Sequence, residues 1–308
     1  MSEKFKILSV IFAALLFISC NAEREDFAGE RYGSINAGTI RAVCDESVFN
    51  IMDSAFSLYE SAYPNVNLEV TAAHARRTMA LLLSGEADAA IIARSYLDDE
   101  DSLMKEYDVS RYEMVIASDA LVFFADRNFP LDTLNDVQIA SLLDGSGNLT
   151  NYYPELSQEP EIVCNGINSS EFANIRSLIL KDGELKKFIK TFSGVDSVKD
   201  YVSNNPNSIG IGFLSQVYEN PNFKLLEIGF VNEKGNRVYP QTVHPGFVVQ
   251  GKYPYVPKLR VYVKEDNKSA AYFWFASYLS KEYVVQKYLL DMGLVPEFAK
   301  LKLRQEKL

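Results

Sequence analysis

The sequence predicts an α/β fold built from two lobes. Short apolar runs of β type alternate with segments whose apolar residues recur at helical spacing, in the order β-α-β-α-β over residues 39–93. That order is typical of a mostly parallel sheet with helices packed outside it. Residues 38–308 are also numerous enough to form two lobes, each with its own core.

The first predicted elements follow from periodicity. After a strand at 39–43, apolar residues recur at the spacing of one helical face: Val48, Ile51, Met52, Ala55 and Tyr59. Ser47 stands where the N-cap of this helix is expected. Strands at 66–70 and 89–93 then enclose a short helix at 79–83.

The rest of the chain continues the same alternation. Further strands are predicted at 120–125, 162–164, 209–213 and 259–263, and further helices at 134–143, 172–180, 195–202 and 270–290. The last helix is predicted as one long amphipathic element, and it carries Trp274, the single tryptophan of the chain.

Residues 1–20 have the features of a bacterial signal peptide. Two lysines precede an apolar run at 7–17 that is too short to span a membrane as a stable helix. Cys20, after small residues, resembles the acylated cysteine of the bacterial lipoprotein lipobox. An ordinary signal peptide with a chance cysteine is the alternative, since Phe17 replaces the usual leucine. Residues 21–37 are polar and predict a flexible stalk.

Composition and motifs exclude several functions. The net charge of −10 argues against nucleic-acid binding, which requires a basic face. The chain has two histidines, His74 and His244, and lacks the H-E-x-x-H, G-x-S-x-G and phosphate-loop lysine motifs. We therefore predict no catalytic site, no metal and no cofactor. Cys44 and Cys164 could pair in an oxidising compartment, or be two small buried residues that never meet.

Several segments, in order, resemble the periplasmic phosphate-binding proteins of ABC transporters over nearly all of the mature chain. Examples are Tyr63-Pro64-Asn65-Val66, the stretch LSGEADAA followed by Ala93-Arg94-Ser95, and the stretch VSNNPNSIGIGF. The remaining similar segments lie at 43–47, 119–122, 134–151, 253–263 and 280–296. Each is weak alone, but their common order makes the resemblance strong.

The resemblance implies a type II periplasmic-binding-protein fold with a ligand cleft between the lobes. Residues 38–122 and 247–308 would form one lobe, and residues 123–246 the other. It further implies a monomer outside the cytoplasm, anchored by its N-terminal lipid, that captures a small anion such as phosphate and passes it to an ABC permease. A surface or sensory lipoprotein with another ligand is the alternative, and an enzyme is a third reading.

The resemblance implies that three loops hold the anion, each at the start of a helix. This is physically sensible, because free N–H groups and the helix dipole favour negative charge there. The candidate ligand-binding residues are Asp45, Glu46, Ser47, Ala75, Arg76, Arg94, Asn168, Ser169 and Ser170. Asp45 and Glu46 suit a phosphate dianion poorly. They would accept a proton from the ligand or, by the commoner use of such residues, face solvent.

Two of these loops depart from the family. The second has Arg76, Arg77 and Thr78 where the family has glycines and serines, so the guanidinium of Arg76 is expected to replace the lost donors or, alternatively, to be solvated. The third loop lacks the family arginine and keeps Asn168, Ser169 and Ser170, which are either ligand donors or a helix cap. Arg94 is kept, and is either a ligand residue or a structural tie below the cleft.

Overall fold

The computed structural model describes residues 35–109, 111–181, 183–264 and 270–297. The predicted signal peptide, the lipidation site Cys20 and all but the end of the stalk lie outside the described residues. Within these ranges, every helix is too short or too polar to cross a membrane.

The described strands are β1 Gly38–Asp45, β2 Val66–Ala73, β3 Ala89–Ile92, β4 Arg111–Ser118, β5 Leu121–Asp126, β6 Thr133–Asn135, β7 Glu161–Asn165, β8 Lys190–Phe192, β9 Ser208–Phe213, β10 Phe223–Leu225, β11 Glu227–Val231, β12 Arg237–Val238, β13 Lys258–Lys264 and β14 Val295–Pro296. The described helices are α1 Glu46–Ala62, α2 Ala75–Ser84, α3 Asp98–Glu106, α4 Asp136–Leu143, α5 Ser170–Asn174, α6 Val195–Asn204, α7 Leu214–Val217, α8 Pro245–Val249, α9 Ala270–Lys281 and α10 Tyr283–Asp291. A π-helical turn, Ile175–Ile179, continues α5, and a 3₁₀ turn lies at Leu149–Asn151.

Two sheets define two lobes, as the sequence predicts. The first lobe has the strand order β14-β4-β13-β3-β1-β2, and the second has β10-β5-β9-β7-β8 beside a small sheet, β12-β11-β6. Both main sheets are mixed. Strands β2, β1 and β3 run parallel, as do β8, β7 and β9, whereas β13 and β5 pair antiparallel with their neighbours. The antiparallel strands are those next to the crossovers, where the chain enters one lobe from the other.

Two chain segments cross between the lobes and lie side by side. Asp119 N–H donates to Pro257 O at 3.0 Å, and Leu121 N–H donates to Tyr255 O at 2.9 Å. The buried Tyr253 hydroxyl donates to Leu121 O at 2.8 Å. Backbone and side-chain hydrogen bonds thus hold the two crossover segments together.

The core of the first lobe is aromatic where α1 packs against α9 and α10. The ring centroids of Tyr59 and Phe275 lie 5.0 Å apart, edge to face. Tyr278 Oη donates to Leu58 O at 3.1 Å, and Tyr288 Oη donates to Ile51 O at 2.8 Å. These contacts fix both C-terminal helices to α1.

The single helix predicted at 270–290 is wrong. Glu282 adopts extended backbone between α9 and α10. The buried Gln286 side chain donates to Leu279 O at 3.2 Å, which satisfies a carbonyl at the end of α9, and to Ile116 O at 3.3 Å. Apolar periodicity continues across the break, because both helices bury a face on the same sheet, so periodicity alone did not reveal it.

Candidate functional site

The two lobes meet at the carboxyl ends of β1 and β7, where open α/β sheets place their ligands. Strand β1 ends at Asp45 and leads directly into α1. Strand β7 ends at Asn165 and leads through a short loop into α5. Side chains from both of these ends, with α7, form the inter-lobe junction, which comprises Asp45, Ser47, Asp119, Asn165, Ser170, Glu171, Ser215 and Gln216.

Asp45 links the two lobes and is fully buried. Its Oδ1 accepts from Ser47 N–H at 3.1 Å, which makes Asp45 the N-cap of α1, and its Oδ2 accepts from the Ser170 hydroxyl. Burial, and then the negative charge of Glu171, raise the pKa of Asp45 to about 6. The expectation that Ser47 is the N-cap is wrong, because α1 begins earlier, at Glu46, and Asp45 caps it. The alternative in which Asp45 faces solvent is also wrong, because its carboxylate packs against Ser170 of the second lobe.

Glu171 lies at the centre of the junction and has no exposed surface. Its carboxylate accepts from the Ser47 hydroxyl at 2.6 Å and from Gln216 Nε2 at 2.7 Å. Asn165 Nδ2 approaches it at 3.5 Å. Donors from both lobes therefore converge on one carboxylate. Gln216 Nε2 also donates across the junction to Ser47 O at 2.8 Å.

Asp119 is the third buried carboxylate of the junction and stands at the first crossover. Its Oδ1 accepts from Ala120 N–H at 2.7 Å and from Ser215 N–H at 3.3 Å, and its Oδ2 accepts from the Ser215 hydroxyl. Burial raises the pKa of Asp119 to about 6. Among the described residues, no lysine or arginine forms an ion pair with any of the three carboxylates.

The arginines predicted for the site lie in a separate group beside the junction. Arg94 is buried and holds both carboxylate oxygens of Glu100 at 2.7 Å. Arg76 donates to Asp99 Oδ1 at 2.7 Å and to Glu100 Oε1 at 3.1 Å, with a second bond to Asp99. The hydrogen bond from Arg76 lowers the pKa of Asp99 to about 2. Both guanidinium groups thus have carboxylate partners within the chain.

A cavity of about 750 Å³ lies between the lobes next to this group. It is lined from the first lobe by Arg76, Arg94, Tyr96, Leu97, Asp98 and Asp99, and from the second by residues 167–169, Phe172, Ala173, Arg176 and Ser177. The two lobes also contact each other in the wall of this cavity, where the backbone N–H of Arg76 donates to Asn168 O at 3.2 Å. Solvent therefore reaches the inter-lobe space from this side.

The other predicted site residues cap a helix, lie outside the junction or are buried at the start of a helix. Ser169 is the N-cap of α5, its hydroxyl accepting from Phe172 N–H at 3.1 Å. Glu46 points away from the junction towards His74, with 2.7 Å between its Oε1 and His74 Nδ1. Ala75 is buried at the start of α2. The structure thus joins Asp45, Ser47 and Ser170 at the junction and leaves Glu46 outside it.

Cys44 and Cys164 are free and buried in different lobes, so the disulfide alternative is wrong. Burial raises the pKa of both thiols well above the usual value. No group of three or more His, Cys, Asp or Glu in the described ranges is arranged to hold a metal ion.

Sequence reasoning missed the residue at the centre of the junction, Glu171, together with Gln216 and Asn165. An acidic residue two places after a capping serine is the usual signal of a helix start, so the sequence offered no reason to place Glu171 in the site. Asp119 lay within a segment similar to the family, but its sequence did not show that it would be buried.

Two mixed α/β lobes, a paired crossover and polar side chains at facing strand ends define a two-lobed ligand-binding protein. A family model described as the PBP superfamily domain matches residues 32–282, and the chain belongs to this superfamily. The resemblance noted in the sequence and the two-lobed periplasmic-binding-protein fold are both confirmed.

Three similar proteins are named as phosphate-binding or phosphate-transport proteins. The phosphate-binding protein PstS of Pseudomonas aeruginosa is 24% identical over 246 residues, which cover 75% of this chain and 74% of PstS. A putative phosphate ABC transporter substrate-binding protein of Clostridium perfringens, solved with bound phosphate, has a TM-score of 0.69 at 16% identity, covering 84% of this chain and 99% of that one. An ABC-type phosphate transport receptor of Vibrio cholerae has a TM-score of 0.64 at 17% identity, covering 84% and 100%.

Proposed function

We propose that this chain is an extracytoplasmic solute-binding protein that captures a small oxyanion between its lobes for an ABC transporter, with phosphate as the ligand. The observation that supports this most is the convergence of the Ser47 hydroxyl, from one lobe, and Gln216 Nε2, from the other, on an oxyanion group, the carboxylate of Glu171. Such donors recognise phosphate oxygens equally well. The phosphate-transport names of the similar proteins support the same ligand.

Within this proposal, Ser47 and Ser170 are the ligand contacts of the junction. Asn168 and Ser169 line the adjacent cavity with Arg76 and Arg94, and provide the approach to it. The protein would act as a monomer that binds without turnover and docks on a permease when closed.

Isothermal titration of the purified protein tests the ligand. We expect saturable one-site binding of inorganic phosphate, with a rise in melting temperature because the ligand binds only the native state. Sulfate and small organic acids are the matched controls. Tight binding of one of these together with no response to phosphate would contradict the phosphate assignment.

We further propose that the chain is tethered to a membrane through acylated Cys20. The support is the apolar run followed by small residues and cysteine. Cys20→Ala should move the protein from the membrane fraction to the soluble fraction, or block its maturation. Wild-type protein that is fully soluble in cells and carries no lipid by mass spectrometry would contradict the anchor.

A surface or sensory lipoprotein with a different ligand is the second candidate. It is favoured by one observation: the two arginines predicted for the site, Arg76 and Arg94, are both paired with carboxylates, while the junction itself holds three acidic side chains. Uptake of radiolabelled phosphate by cells lacking the protein distinguishes the two. Reduced uptake that is restored by the wild-type gene supports transport, and unchanged uptake supports the second candidate.

A further inference from the structure

The Glu171 carboxylate lies at the inter-lobe junction, where the proposed function places the oxyanion. It is fully buried between the lobes and takes its two shortest hydrogen bonds from Ser47 Oγ at 2.6 Å and Gln216 Nε2 at 2.7 Å. The Ser47 donor belongs to the first lobe, whereas Glu171 and Gln216 belong to the second. These polar groups of the junction are thus satisfied by groups of the chain itself.

We propose that Glu171 is an internal anion that closes the cleft without ligand, and that a solute oxyanion must displace its carboxylate from Ser47 and Gln216. The inference rests on the proposed function, because it concerns the same junction. On this proposal Glu171 determines the affinity for solute. Its position in the first turn of a helix did not suggest such a role.

Electrostatics support displacement over simultaneous binding. Asp45 and Asp119 are buried beside Glu171, and the charge of Glu171 contributes to raising the pKa of each. A phosphate dianion added to these three carboxylates would bring a further two negative charges into a region shielded from water. Removal of the Glu171 carboxylate relieves that repulsion and frees the donors at the same time.

The structure also offers the carboxylate a route to water. Ser169 and Phe172, which flank Glu171 and Ser170 in the same segment, line the inter-lobe cavity of about 750 Å³. Separation of the lobes would extend this cavity to the Glu171 carboxylate and hydrate it. On this proposal the protein exchanges between two states, one closed on its own carboxylate and one open.

Small-angle X-ray scattering of the ligand-free full chain in detergent tests the inference. Wild type should match the scattering profile of the closed structure. Glu171→Ala should give a larger radius of gyration, because each lost hydrogen bond to a charged group shifts the open-to-closed ratio by roughly tenfold or more. Addition of inorganic phosphate should close Glu171→Ala again, with an affinity about tenfold or more above that of wild type.

A second pair of variants keeps the test valid if Glu171→Ala does not fold. Ser47→Ala removes one donor to the carboxylate from the opposite lobe and should also open the ligand-free protein. Ser280→Ala is its control, because Ser280 is a buried serine of the first lobe that donates only to Ala276 O of its own helix, at 2.8 Å. It should stay as compact as wild type.

The outcomes separate the two proposals. Ligand-free variants at Glu171 and Ser47 that remain as compact as Ser280→Ala would overturn the inference, as would a wild-type protein that is already open. A Glu171→Ala protein that opens and is not closed by phosphate would leave Glu171 as the closing group and refute phosphate as the ligand.

Discussion

Arg94 and Arg76 contact the same carboxylate, Glu100, from environments that differ in access to water. Arg94 is 3% exposed in its side chain and holds both oxygens of Glu100, whereas Arg76 is 42% exposed and shares its guanidinium with Asp99. Removing one partner of a buried pair leaves an uncompensated charge, while an exposed pair is screened by solvent. The two arginines should therefore contribute very differently to stability.

We expect Arg94→Ala to lower the free energy of unfolding by about 3–5 kcal/mol, the usual cost of breaking a buried ion pair. Arg76→Ala, its matched control, should cost about 0–1 kcal/mol. Urea unfolding of both variants at neutral pH measures the difference. Equal losses would show that the Arg94–Glu100 pair is no more important to the fold than the exposed pair.

For single residues, the sequence predicted which side chains lie at the junction better than it predicted the groups to which they bind. Asp45, Ser47 and Ser170 were selected because they lie in two of the loops that the family resemblance assigns to the anion, and the structure brings all three together. Glu171 was missed because first-turn acidic residues are common at helix starts, and burial against the other lobe leaves no local signal. The choice of Arg76 as an anion ligand remains a prediction, although its guanidinium already binds Asp99 and Glu100.

Strands β5 and β9 approach each other closely at one glycine. Gly210 pairs directly with Phe124, whose ring is fully buried. A Cβ at position 210 would lie 2.4 Å from the nearest ring carbon of Phe124, so an alanine cannot fit unless the ring or the strand moves. The pairing that joins the antiparallel and parallel parts of the second sheet thus depends on this glycine.

Gly210→Ala should lower the free energy of unfolding by about 1–3 kcal/mol, as expected for overpacking. Gly166→Ala is the control, because a Cβ there would lie 3.6 Å from Phe192 O, an ordinary contact. Thermal or urea unfolding compares the two. A Gly210→Ala protein as stable as Gly166→Ala would mean that Phe124 repacks without cost.

Elements with strong periodicity were predicted well, and those shaped by tertiary contacts were not. Helix α1 and strands β1, β3, β7 and β9 are confirmed, because their apolar residues repeat at one clear period. Strand β4 and helix α3 were not predicted. Helix α3 is short and strongly acidic, and its buried Glu100 is held by Arg94, a contact that local sequence does not encode.

The whole molecule is held together by cross-lobe contacts that are mainly polar at the junction. Besides the hydrogen bonds of Asp45 and Glu171, Asn174 Nδ2 of the second lobe donates to Ala93 O of the first lobe at 2.8 Å. This bond joins the end of α5 to the loop that follows β3. The predicted boundaries of the lobes, with 38–122 and 247–308 in one lobe and 123–246 in the other, stay a prediction. They concern which residues move together when the lobes separate. The existence of two lobes was predictable from the length of the chain and from the family resemblance in the order of its segments.

The buried carboxylates give the closed molecule a distinctive pH dependence. The pKa of Asp45 and that of Asp119 are each raised to about 6, mainly by burial, while an unfolded aspartate titrates near 4. Between about pH 4 and 6 the folded state therefore binds more protons than the unfolded state. The contribution of each group to stability is then fully present below pH 4 and is lost as pH rises through 6.

Asp45→Asn removes this titration and keeps a side-chain oxygen as acceptor for the Ser47 amide. Relative to wild type, its free energy of unfolding should increase by roughly 3 kcal/mol between pH 4 and pH 7, the equivalent of about two pKa units. Asp99→Asn is the control: the pKa of Asp99 is lowered to about 2, so its difference from wild type should be constant across this range. Urea unfolding at several pH values measures both variants. A constant difference for Asp45→Asn would show that Asp45 ionises in the folded protein as it does in water, which would mean that the junction is open to solvent when no ligand is bound.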